Sequence, residues 1–118
     1  MSKVETHFLV PIYEDEEVGS GELHSRNKWE KLEDDLETEF PGWTLAPGFY
    51  TGGYKDPDTG RKVRDMSKMY IVAVDEEVVP KLREYLKEKV ATSFRQKVIY
   101  FSARGEVEFI ESAERHVI

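Results

Sequence analysis

The stretch from Tyr50 to Ser67, YTGGYKDPDTGRKVRDMS, gathers most of the residue types that could hold a ligand. Tyr50 and Tyr54 offer ring faces, and Lys55, Arg61, Lys62 and Arg64 offer cations, a mixture that suits an anionic ligand. Gly52 and Gly53 allow bending or close backbone approach. The spacing matches neither a P-loop nor G-x-G-x-x-G, so no phosphate cradle follows from it. The plainer reading, and the favoured one, is a twisted β-hairpin whose basic residues balance nearby acids. Outside it, His24 stands near Arg26 and an acidic run, where an imidazole could move a proton or simply cap a helix. His7 falls on an apparent strand and reads as structural. Tyr70 completes the set of candidate binding residues: His24, Tyr50, Tyr54, Arg61, Arg64 and Tyr70.

Other chemistry finds little support. His7, His24 and His116 are not at metal-ligand spacing, and Glu14–Glu17 lacks the alternating pattern of a calcium loop. No metal site and no cofactor are expected. There is no G-x-S-x-G, no H-E-x-x-H and no evident Ser-His-Asp arrangement. The absence of cysteine removes thiol catalysis, disulfides and thiolate zinc sites. A net charge of −7 disfavours nucleic acid as a partner. No apolar run reaches the roughly 20 residues that a membrane helix needs, and the N-terminus shows no secretory h-region. A cytoplasmic protein is expected.

The 118 residues suit one domain, with an ordered core over about 5–111 and a loose tail at 112–118. Thr6–Tyr13 reads as a strand with an irregular end near Pro11. An acidic loop, Glu14–Leu23, precedes a helix capped by Ser25. Its apolar stripe is Trp29, Leu32, Leu36 and Phe40, and Pro41-Gly42 stops it. Trp43–Tyr54 reads as a bulged edge strand, Asp56–Gly60 as a turn, and Ser67–Val74 as the clearest strand. A second helix starts after Asp75 and buries Val79, Leu82, Leu86 and Val90, with Tyr85 and Phe94 flanking. Gln96–Ala103 and Glu106–Glu111 are strands joined at Arg104-Gly105. The order βαββαβ with a short fifth strand predicts an α+β, ferredoxin-like sandwich: an antiparallel sheet with two helices on one face.

Alternation exposes a difficulty. In three strands both sets of side chains are apolar: Phe8, Val10 and Ile12 against Leu9, Pro11 and Tyr13; Met69, Ile71 and Ala73 against Tyr70, Val72 and Val74; Ile99 and Phe101 against Val98 and Tyr100. Two helices cover one face only, and an apolar reverse face invites a partner. A homodimer stacked sheet on sheet is expected, with Tyr13, Tyr70, Val72 and Tyr100 near its interface. The alternative cover is the fifth strand and the 50–67 hairpin folding back.

The runs Phe40-Pro41-Gly42-Trp43-Thr44, Gly48-Phe49-Tyr50, Asp65-Met66-Ser67 and Phe94-Arg95-Gln96-Lys97-Val98 resemble those of a group of small uncharacterised bacterial proteins. The resemblance implies a ferredoxin-like fold and lends no activity. The leading functional expectation is a self-assembling binding or interaction module taking a small-molecule or protein ligand. One alternative is a cofactor-independent enzyme of the dimeric α+β barrel type, holding a small apolar substrate between sheet and helices, with His24 or His7 and tyrosines moving protons. Another is a regulatory sensor that binds an anion or a partner through the 50–67 hairpin.

Overall fold

The computed structural model describes residues 2–14 and 22–116, with the side chains of 115 and 116 excepted. Most of the acidic loop expected at 14–23 lies outside these residues. Strand β1 (Lys3–Pro11) ends at the proline, whose missing amide cannot extend a ladder. Helix α1 (Arg26–Glu39) starts after Ser25, which occupies the N-cap position in extended geometry but makes no side-chain capping bond. Next come β2 (Thr44–Leu45), β3 (Tyr50–Lys55) and the long β4 (Lys62–Asp75). Two strands therefore replace the single bulged strand expected over 43–54; Pro47 and Gly48 interrupt it, Gly48 at a φ of 73°.

The second helical run is mixed: a 3-10 turn (Glu76–Val78), α2 (Val79–Tyr85), a π turn (Leu86–Val90) and α3 (Ala91–Ser93). Pro80 sits in the first turn of α2, where its missing amide costs nothing. Strands β5 (Val98–Ala103) and β6 (Glu106–Glu111) form a hairpin through Arg104 and Gly105, both at positive φ. Ser112 is buried, its amide donates to the Lys97 carbonyl at 2.9 Å, and Ala113–His116 makes a 3-10 turn. Among the described residues, no helix is long and apolar enough to cross a membrane.

The architecture is α+β with an open, antiparallel six-stranded sheet. Its order is β2-β4-β1-β5-β6, with β3 pairing β4 beyond β2. The register assigns the faces. Phe8 pairs Tyr70 and Phe101, and Thr6 pairs Val72. These residues are buried with Leu32, Leu36, Leu82, Leu86 and Phe94 from the helices. The helices therefore cover the face bearing Phe8, Val10, Tyr70, Val72, Ile99 and Phe101. The reverse face carries Glu5, His7 and Leu9 from β1, Met69, Ile71 and Ala73 from β4, Val98, Tyr100 and Ser102 from β5, and Val107 and Phe109 from β6. It is apolar in its middle and open, with Phe109 65% exposed and Val107 52%.

This register corrects half of the expected interface. Tyr70 and Val72 are fully buried beneath the helices and reach no surface; the outward residues of β4 are their neighbours Met69 and Ile71. Tyr100 does face outward. Tyr13 is 45% exposed, just past the end of β1, in an isolated bridge with Leu23.

Candidate functional site

The β3–β4 hairpin overhangs the sheet. Strand β4 pairs β1 only from Ser67 to Asp75, whereas it pairs β3 from Lys62 to Ser67. The hairpin thus runs past the end of β1. Its tip is the expected turn: the Asp56 carboxylate accepts from the Thr59 amide at 2.9 Å and hydroxyl at 2.7 Å, and Gly60 takes a φ of 75°. The tip turns back toward the entry of β5, where Lys97 Nζ donates to Asp56 at 2.7 Å and meets Asp58 at 3.1 Å. Asp56 is 1% exposed. The Lys97 hydrogen bond, and then those from Thr59, hold its carboxyl down at about 2.

Between this overhang and the reverse face lies a cleft of about 500 Å³, a size that suits a small organic ligand. Its floor is Leu9, Pro11, Val98 and Tyr100. The hairpin supplies Gly52, Gly53, Tyr54, Lys55 and Pro57, with Asp65 and Ser67 beside them, and Phe109 closes the β6 side. The Tyr100 and Phe109 rings meet edge to face, 5.8 Å between centroids. Gln96 also reaches the cleft, and its amide nitrogen donates to the Tyr13 and Phe94 carbonyls at 2.8 Å each, tying the exit of β1 to the entry of β5. Apolar walls, aromatic rings, the Asp65 carboxylate, the Lys55 ammonium, the Ser67 hydroxyl and the Gln96 amide can hold a flat, largely apolar molecule that carries charged or hydroxyl groups.

A second groove of about 550 Å³ runs between α1 and the second helical run. Its rim is lined by Lys28, Lys31, Asp35, Glu39, Lys81, Glu84, Glu88 and Lys89, a set of mostly long charged side chains. Such a rim offers little preformed geometry, so the sheet-face cleft is the better site. Among the described residues, no three of His, Asp and Glu come together as metal ligands.

The residues expected from sequence separate. Tyr54 and Tyr100 line the cleft. Tyr50 sits at the hairpin base, and Arg61 and Arg64 are exposed on the hairpin without lining it. His24 is only 8% exposed, edge-on to Phe94 (4.8 Å) and Trp29 (5.9 Å). Burial first, and the Lys28 ammonium second, press its pKa down to about 4, so it is neutral at pH 7. It touches Gln96 from behind, 3.5 Å away, and does not line the cleft. The Tyr70 hydroxyl donates to Glu33 at 2.7 Å, and burial and that bond hold its proton far above the usual phenol range. Neither His24 nor Tyr70 lines either of these two clefts, and between sheet and helices Phe8, Leu32, Leu36, Tyr70 and Phe94 pack together as core. Sequence reasoning passed over Asp65, Gln96, Lys97 and Phe109. Strand parity alone did not single them out, because the hairpin overhang brings them together.

The chain matches no family model and no curated protein. Among solved structures it resembles a phage SAM lyase in complex with S-methyl-5'-thioadenosine, with a TM-score of 0.68 and 17% identity over 95% of this chain and 91% of that one. It also resembles a phage SAM lyase in its apo state, with a TM-score of 0.64 and 15% identity over 93% and 90% of the two chains. The shared feature is the fold. Both of these chains are SAM lyases, a finding that goes against the self-assembling interaction module and the hairpin sensor and fits the enzyme alternative better.

Proposed function

We propose that this protein is an enzyme that binds an adenosyl thioether or sulfonium in the sheet-face cleft and cleaves a carbon–sulfur bond of the sulfonium. The observation that carries this reading is the composition of the cleft: three rings (Tyr54, Tyr100, Phe109) on a largely apolar floor, with the Asp65 carboxylate, the Lys55 ammonium, the Ser67 hydroxyl and the Gln96 amide as its polar groups. The likeness to SAM lyase over nearly the whole chain supports it. Rings accept a purine by stacking and a sulfonium by cation–π attraction. Asp65 is placed to favour a cation or a ribose diol over a neutral apolar ligand.

The chemistry asks little of the protein. The substrate's own carboxylate attacks the side-chain carbon bonded to sulfur and closes a lactone as the carbon–sulfur bond breaks. Sulfur keeps the electron pair and leaves as a neutral thioether, so the carboxylate's negative charge and the sulfonium's positive charge are both lost and no proton has to move. The apolar floor of the cleft disfavours the charged reactant relative to a transition state in which charge is dispersing. Asp65 therefore serves recognition, and the apolar floor of Leu9, Pro11 and Val98 serves rate. The alternative substrate position beneath the helices is dropped, because that space is filled.

The strand order β2-β4-β1-β5, antiparallel, with both helical runs on one face, supports a ferredoxin-like sandwich extended by β6. The bacterial group whose motifs this chain resembles fits the same reading. Self-association remains part of the proposal: a second copy would cover Met69, Ile71, Val107 and the outer edge of Phe109, giving a homodimer through the reverse face.

Titrating the chain with S-methyl-5'-thioadenosine by calorimetry tests the site. Binding that is weakened at least tenfold by Tyr100→Ala is the expected result. Absence of heat at millimolar thioether overturns it.

A further inference from the structure

We propose that Lys97 is a positioning residue that latches the β3–β4 hairpin over the cleft, an inference that rests on reading the cleft as the ligand site. The hairpin supplies one wall through Gly52, Tyr54 and Pro57, while the opposite wall, Val98, Tyr100 and Phe109, belongs to the β5–β6 hairpin. The two walls belong to different hairpins separated by β1, and β1 stops at Pro11, short of the tip. The ladder with β3 holds the overhanging part of β4, but little of it is held to β1: past Ser67, the Ile12 amide donates to the Met66 carbonyl at 2.9 Å. Above that bond, the Lys97 contacts with Asp56 and Asp58 tie the tip to the β5 side.

The latch is asymmetric. The Asp56 side chain is fully buried, whereas Lys97 keeps about a fifth of its side chain exposed. Removing the ammonium leaves a buried carboxylate held by the Thr59 amide and hydroxyl. Such a carboxylate recovers hydration only if the tip lifts. Lys97 does not itself line the cleft, so its effect on ligand passes through the hairpin.

The test uses the full chain carrying Lys97→Met, which keeps the length of the side chain and removes its charge, and Lys97→Arg, which keeps the charge. Hydrogen exchange without ligand reads the latch. Amides of residues 53–63 are expected to exchange at least about tenfold faster in Lys97→Met, with β1 and β5 amides unchanged and Lys97→Arg close to the original. Unchanged hairpin exchange in a folded Lys97→Met chain overturns the latch. Affinity for S-methyl-5'-thioadenosine reads its consequence: about tenfold weaker in Lys97→Met and restored in Lys97→Arg, whereas equal affinity in all three chains overturns the positioning role. If the original chain binds no thioether while the exchange result holds, the functional reading fails and the latch stands.

Discussion

Gly52 and Asp65 face each other in the β3–β4 ladder so closely that a Cβ at Gly52 would stand 3.2 Å from the Asp65 carboxylate. The glycine is what lets that carboxylate lie flat against the cleft wall. Gly52→Ala is expected to displace it by a few tenths of an ångström. Alanine is also favoured over glycine in a strand by about 0.5–1 kcal/mol. The melting temperature should therefore hold or rise while affinity for S-methyl-5'-thioadenosine falls several-fold. A fall in both would mean that Gly52 serves stability alone.

Phe109 stands 65% exposed at the edge of an apolar face. A charge there is incompatible with a dry interface between copies. Phe109→Asp is expected to convert a homodimer into a 13.7 kDa monomer by light scattering with multi-angle detection, at a cost in urea stability of no more than about 1.5 kcal/mol from the lost edge contact with Tyr100. An original chain that is already monomeric at micromolar concentration removes self-association from the account.

His24 makes acid stability predictable. Its folded pKa is about 4, below the ordinary 6.5, because burial disfavours the charged ring. Between those values the unfolded chain binds a proton that the folded chain refuses. The stabilisation is thus complete above about pH 6.5 and is lost as pH falls toward 4, by a few kcal/mol in all. The urea midpoint should drop across that window, and His24→Phe should flatten the drop. The depressed Asp56 titrates lower, near 2, and leaves this window clear. An unchanged slope in His24→Phe would show that other groups carry it.

Much of the fold was legible because periodicity is local. The Trp29, Leu32, Leu36 and Phe40 stripe, the Asp56–Gly60 turn and the β5–β6 hairpin each announce themselves within a few residues. The site was less so. Alternation shows that Tyr70 and Met69 point opposite ways, but which one faces the helices depends on register with Phe8, a partner more than sixty residues away. Tyr70 and Val72 were assigned to the wrong face for that reason. Likewise His24 attracts attention by its chemistry, yet Phe94 and Trp29 bury it. Asp65 and Lys97 look like ordinary surface charges until the hairpin folds over the end of β1.

The central claim is turnover of a sulfonium in the cleft. Incubating the chain with SAM and following S-methyl-5'-thioadenosine by chromatography tests it directly. The account predicts that the thioether appears as SAM disappears, with added metal or reductant unnecessary, and that Asp65→Asn raises KM more than it lowers kcat. SAM left intact by a folded chain that leaves the thioether unbound would contradict it.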